Sequence, residues 1–211
     1  MIRNSFTNYF DLLLKFLSIA QKKEGNDAWL THANTLINMK KWQALLDWCL
    51  KWTQSKPTDA IAWSILGDAY NRLNRYDEAI LALYKSNNID SNNATAWFTL
   101  GDAFSNLSRY DDAVWALNKS ILIDPKNILA WRSLGIVYNR VKSFSSAIKA
   151  INNAIHIEPK DSIAWYILGN AQASSGNLSA AMCTARELRR LDAQKANDLF
   201  NLIETQRHSA R

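Results

Sequence analysis

Residues 128–161, ILAWRSLGIVYNRVKSFSSAIKAINNAIHIEPKD, decide the fold. Leu134, Gly135 and Tyr138 follow Trp131 at steps of three, four and seven, which places all four on one face of a helix. A second helical pattern starts at Phe144 and continues through Ala147 and Ala154, and Pro159 lies where a residue without an amide donor cannot extend it. Stepping outward by 34 residues recovers the same pattern in both directions. The tryptophans are Trp29, Trp63, Trp97, Trp131 and Trp165. The column three places on holds His32, Leu66, Leu100, Leu134 and Leu168, and the next Ala33, Gly67, Gly101, Gly135 and Gly169. Self-similarity at this period is the mark of a repeat architecture.

The second helix of each unit opens on Trp42, Tyr76, Tyr110, Phe144 or Leu178 and continues with Leu45, Ala79, Ala113, Ala147 or Ala181. A further column, Trp52, Ser86, Ser120, Ala154 and Leu188, is mostly small. Small side chains in two facing columns let antiparallel helices approach closely, so each unit is a helical hairpin.

These residues resemble the tetratricopeptide repeat (TPR) family, whose signature is carried by Trp131, Leu134, Gly135, Tyr138, Ala147, Ala154 and Pro159. The resemblance implies an all-α fold, a right-handed superhelix of five hairpins at 26–59, 60–93, 94–127, 128–161 and 162–195. Terminal repeats need closing surfaces. An amphipathic capping helix is expected within 1–25, where Phe6, Phe10, Leu13 and Leu17 share a face, and a second cap with a tail within 196–211. Asp11 and Lys15 interrupt the apolar stretch of the first segment, which argues against a secretion signal and for a cytoplasmic protein. No window is apolar enough for a membrane span.

Composition agrees with a helical globular chain: 48% hydrophobic residues, only 6 Gly and 3 Pro among 211 residues. Two cysteines cannot build a disulfide framework. The charge is uneven. Residues 1–57 carry 8 basic and 4 acidic groups, 58–127 carry 6 and 9, and 128–211 carry 11 and 6. A nucleic-acid binder more often has one continuous basic face, so nucleic acid is an unfavoured partner.

Nothing in the sequence assembles a catalytic, metal or cofactor site. His32 stands in a leucine column and is expected to be a packed core histidine. The acidic pairs Asp77-Glu78 and Asp111-Asp112 begin second helices, where the helix dipole favours them. No glycine-rich phosphate loop is present. A non-catalytic scaffold or adaptor is therefore expected.

The remaining candidate is a surface stripe one, five, eight and nine places after each tryptophan, which faces the concave groove in the TPR family. It supplies the candidate partner-binding residues Asn34, Asn38, Asp68, Asn71, Arg72, Phe98, Asp102, Arg132, Asn139, Arg140, Tyr166 and Asn170. Amides would bond a peptide main chain, Arg132 and Arg140 acidic groups, and Phe98 and Tyr166 would be apolar anchors. The alternative for any one of them is a solvated face, with Asp68 and Arg72 paired at i,i+4. The groove is expected to hold a peptide or helix of a partner protein.

Two features exceed what the repeat needs. Lys40, Lys41, Trp42, Trp48, Lys51, Trp52 and Lys56 alternate basic and aromatic residues in the first hairpin. They allow either packing against the N-terminal cap or, as the alternative function, stacking on nucleic acid. Leu81, Tyr84 and Trp115 lie on second-helix faces the signature leaves unused, an outer patch for a partner or for homo-oligomer contacts, which the N-terminal helix offers as well.

Overall fold

The computed structural model describes residues 28–209, and the described residues are all-helical and loop, with eleven helices. The expected N-terminal capping helix lies outside them. The chain divides into two compact units, Met1–Ile123 and Asp124–Arg211. Unit 1 contains α1 (Ala28–Asn38), α2 (Trp42–Ser55), α3 (Ala60–Arg72), α4 (Tyr76–Ile89), α5 (Ala94–Asn106) and α6 (Tyr110–Ile123). Unit 2 contains α7 (Ile128–Arg140), α8 (Phe144–Ile157), α9 (Ser162–Ser174), α10 (Leu178–Leu191) and α11 (Ala193–Ser209). Within each unit every helix packs on the next, and first helices also touch across consecutive hairpins, α3 on α5 and α7 on α9. Each unit is thus a stretch of helical solenoid.

Local chemistry repeats with the sequence. Asp59, Asn93, Asn127 and Asp161 cap α3, α5, α7 and α9, their side chains accepting from main-chain N–H groups of the first turn. The indole Nε1 of Trp63, Trp97, Trp131 and Trp165 donates to the carbonyl six residues earlier, on Pro57, Ser91, Pro125 and Pro159, at 2.8–2.9 Å. Because the acceptor is main chain, Ser91 serves as well as proline. Each turn from first to second helix passes through one left-handed residue: Lys40, Asn74, Ser108, Lys142 and Gly176, with φ of 54, 60, 59, 60 and 84°. Four of these five are not glycine.

The glycine column sets the distance between helices. A Cβ on Gly67, Gly101 or Gly135 would stand 2.5, 2.7 or 2.3 Å from Leu83, Leu117 or Ile151 of the second helix. In the last hairpin that register position is Ala185, and the space over Gly169 is taken by Leu199 of α11, 2.2 Å from the virtual Cβ. In the first hairpin the two positions are Ala33 and Cys49, both fully buried, so an added methyl meets a shorter partner. The terminal hairpins depart from the repeat as compensated pairs.

His32 differs from its expected place: it is exposed, its ring 4.1 Å from that of Trp48. Leucine packing is not needed there because Trp29, Trp48 and Trp52 cluster alongside, with Trp48 Nε1 donating to the Trp29 carbonyl at 3.0 Å.

Gly67→Ala should destabilise the protein by about 1–3 kcal/mol through overpacking, despite alanine's better helix propensity. Adding Leu83→Cys, which copies the Ala33/Cys49 pair, should recover part of the loss. Urea unfolding of the two singles and the double gives the coupling, and strict additivity would exclude the compensation.

Candidate functional site

The inner stripe is built by the first helices of each hairpin, and its polar side chains connect one hairpin to the next. At about 100° per residue, positions one and eight after the tryptophan lie on the flank facing the following hairpin, and position five is turned farther round. Accordingly Asn71 Nδ2 of α3 donates to Asp102 Oδ2 of α5 at 3.0 Å, and Asn139 Nδ2 of α7 donates to Asn170 Oδ1 of α9 at 2.9 Å. Both bonds span 31 residues. The same register pair thus ends on a carboxylate in unit 1 and on an amide in unit 2.

In unit 1, Asp68 is buried and its Oδ1 lies 3.4 Å from Arg72 Nε; the Arg72 guanidinium sits 5.1 Å from the centre of the Trp42 ring. Arg72 is therefore engaged on two sides. Burial raises the Asp102 carboxyl above the ordinary aspartate range, against the lowering effects of the Asn71 hydrogen bond and Arg72, with the Asp68 charge adding to the rise. Tyr76 is raised by burial and by Asp102, and the Cys49 thiol is raised by burial and by Asp68. Asn34 is half-buried and Asn38 exposed.

Three expected contact residues are not open to a partner: the buried Asp68, Arg132 and Phe98. Arg132 is 6% exposed, and its Nη1 lies 3.2 Å from Asp161 Oδ2, the cap of α9. Phe98 is buried, as are Leu30 and Ser64 at the same register position. The side chains at this register are buried, and in unit 2 the arginine reaches the following hairpin, where it pairs with the cap of α9. Asp161 lies 29 residues beyond Arg132 and outside the stripe, so the spacing of the stripe gave no sign of the pair.

Arg140 and Ile136 are exposed in unit 2, and Tyr166, Asn139 and Asn170 are half-buried beside them. The Oδ1 atoms of Asn34, Asn71 and Asn139 are buried without a hydrogen-bond partner among the described residues. On the opposite side of unit 1, Leu81, Tyr84 and Trp115 are exposed, and Leu122 adds an exposed apolar side chain that the sequence reading missed. In the first hairpin Trp52 is buried and Trp48 half-buried, whereas Lys40, Lys41, Lys51 and Lys56 are exposed. Among the described residues no group of three or more His, Cys, Asp or Glu could hold a metal, and no helix is long and apolar enough to cross a membrane.

The buried ion pair gives one expectation. Arg132→Ala should cost about 3–5 kcal/mol, because Asp161 would keep a buried charge without its cation. Arg140→Ala should stay within about 0.5 kcal/mol. Denaturant unfolding compares the two. A second expectation concerns pH. Folded Asp102 holds its proton more tightly than the unfolded chain, so its stabilising contribution is full below the unfolded value near 3.8 and is lost as pH rises through the raised folded value. Asp102→Asn should therefore be more stable than wild type at neutral pH, with the gap opening as pH climbs from the acid side. A gap of constant size from acid to neutral pH would refute the burial cost.

Tetratricopeptide repeat models match residues 43–87 and 129–196, a further one matches 94–127, and a TPR repeat model matches 67–108. No curated protein sequence matches the chain. Among solved structures, MamA superposes with a TM-score of 0.69 at 22% identity, covering 81% of this chain and 93% of MamA. MamA 41-end from Desulfovibrio magneticus RS-1 gives 0.71 at 17% identity, covering 79% and 94%. YrrB, described as a TPR protein with an unusual peptide-binding site, gives 0.68 at 18% identity, covering 88% and 97%. At such identities the superpositions speak for the fold alone, and the sequence models supply the family. Carrying the repeat signature, the indole-to-carbonyl bonds and the glycine-set helix spacing in register, the chain belongs to the tetratricopeptide repeat family.

Proposed function

We propose that this protein is a non-catalytic cytoplasmic scaffold that holds a peptide segment or helix of a partner protein against its first helices. TPR proteins are protein-interaction scaffolds, and the finer reading rests on one observation. The inner stripe keeps buried acceptor atoms on Asn34, Asn71 and Asn139 that nothing among the described residues satisfies. An unsatisfied buried polar atom costs about 1–3 kcal/mol, a cost that main-chain N–H groups of a bound segment would relieve. YrrB's description as peptide-binding supports the same reading by analogy. The hairpin boundaries at 26–59, 60–93, 94–127, 128–161 and 162–195 and the two caps belong to this proposal.

The two units offer different chemistry to such a segment. Unit 1 presents Asp102 and amides, suited to N–H donors and basic side chains. Unit 2 presents the exposed Arg140 beside Tyr166 and Ile136, suited to a carboxylate next to an apolar residue. Arg132 is excluded from direct contact and acts on Asp161 instead.

The test is site-specific photocrosslinking in the native cell, with the reactive side chain placed at Asn71, Asn139 or Arg140 on the inner stripe and at Lys85 or Lys149 outside it. One common partner should be captured from the inner positions, and Arg140→Glu should weaken its binding about tenfold, or about 1.4 kcal/mol. Capture of that partner only from the outer positions would refute the groove. Salt-sensitive binding of random single-stranded oligonucleotides, lost on charge reversal of Lys40, Lys41 and Lys51 and indifferent to Arg140→Glu, would favour the nucleic-acid alternative.

A further inference from the structure

The second helices of unit 1 carry an apolar row that the hairpin does not use. In α4 the side of Ala79, Leu83 and Ser86 is buried against α3, with Ser86 Oγ donating to the Ala60 carbonyl at 2.8 Å. Leu81, on the opposite side, is 70% exposed. Trp115 occupies the same register position one repeat later, 44% exposed, and its ring rests edge-on against Trp97 at 5.0 Å. Tyr84, 38% exposed, is likewise braced on Phe104, ring centres 6.3 Å apart. Aromatic anchors already held by the core lose little freedom on binding.

Carboxylates border this row. Asp77 and Asp111 lie one helical turn before Leu81 and Trp115, and both are exposed. Their neighbours Glu78 and Asp112 are taken by Arg75 and Arg109 at 2.7 and 2.8 Å, whereas Asp77 and Asp111 form no ion pair among the described residues. The face is therefore apolar, with a free acidic edge at Asp77 and Asp111 and the exposed Lys85 and Lys119 one turn beyond Leu81 and Trp115.

The complement exists elsewhere in the chain. In α10 the register positions of Leu81 and Tyr84 are filled by Cys183 and Arg186. Arg186 and Arg189 are exposed and have no carboxylate partner among the described residues; Arg190 is paired with Glu187, and the exposed Leu191 follows. The regional imbalance has the same sense, 6 basic against 9 acidic groups in 58–127 and 11 against 6 in 128–211.

From this charge complementarity we propose that the outer face of α4 and α6 is a docking surface for a second copy of this chain, which presents its arginine-bearing α10. The contact joins two different surfaces, so it closes a ring or reciprocal dimer, or extends into a filament. It is independent of the inner stripe.

Sedimentation velocity of the full chain over a concentration series, at low and at high salt, reads the association directly. Wild type should self-associate and weaken as salt rises. Asp77→Arg with Asp111→Arg should weaken association at least tenfold, as should Arg186→Glu with Arg189→Glu, while an equimolar mixture of the two variants should restore it. Leu81→Ser with Trp115→Ser should be monomeric alone and in mixtures, with circular dichroism confirming the fold. The charge variants remain decisive should Trp115→Ser unfold α6. Wild type that stays monomeric throughout, or a mixture that fails to recover association, would overturn the proposal. The first result together with loss of a foreign partner's crosslinks at Lys85 in the Leu81/Trp115 variant would assign the face to another protein. Unchanged capture at Asn71 and Arg140 in these variants keeps the result separate from the groove reading.

Discussion

The rest of the structure depends on how closely two helices of one hairpin approach at the glycine column. With hydrogen at Gly67, Gly101 and Gly135, the side chains of Leu83, Leu117 and Ile151 lie where a Cβ would otherwise be. Interiors at crystal-like density leave no slack for an extra methyl at such a contact. The indoles of Trp63, Trp97, Trp131 and Trp165 also bond, at 2.8–2.9 Å, the carbonyl six residues earlier in the turn before each first helix. The repeat is therefore more than a recurring composition, since four of its copies carry the same side-chain-to-main-chain bond.

The ends of the chain show the same constraint solved with other residues. Ala33 with Cys49 moves a methyl from the second helix to the first, and Ala185 leaves a gap that Leu199 of α11 fills from outside the hairpin. In unit 2, Ala173, Ala181, Ala185 and Leu188 form one cluster with Ala196, Leu199 and Ile203, so α11 completes the core of the last hairpin. A solenoid repeat cannot bury its apolar face alone, and here the terminal helix performs the burial that another repeat would.

The fold was legible in the sequence because packing imposes the same residue type at the same place every 34 residues. Features satisfied by several residue types were not. The left-handed turn residue recurs in register at Lys40, Asn74, Ser108, Lys142 and Gly176, yet only Asn74 and Gly176 are residue types that favour that conformation. The position after each tryptophan was placed on the groove from its angle alone, but Leu30, Ser64, Phe98 and Arg132 are buried there. Arg132 shows why charge alone misleads: the carboxylate that binds it is a helix cap, and it is visible only when two hairpins are brought together. The outer patch was legible because Leu81, Tyr84 and Trp115 are apolar at positions where packing asks for nothing.

The tryptophan, glycine and alanine columns vary little through the central hairpins, whereas the polar stripe varies from one hairpin to the next. Asn71 with Asp102 and Asn139 with Asn170 perform the same bridging between hairpins. The amide version does so without burying a charge. A neutral solution is thus present within the same molecule, and unit 1 nonetheless keeps the carboxylate under a burial cost. Where a repeat protein has a cheaper side chain available at one level and an ionisable one at another, stability does not account for the choice. Asp102 is thus the costlier of two bridges that stand at the same register in the two units.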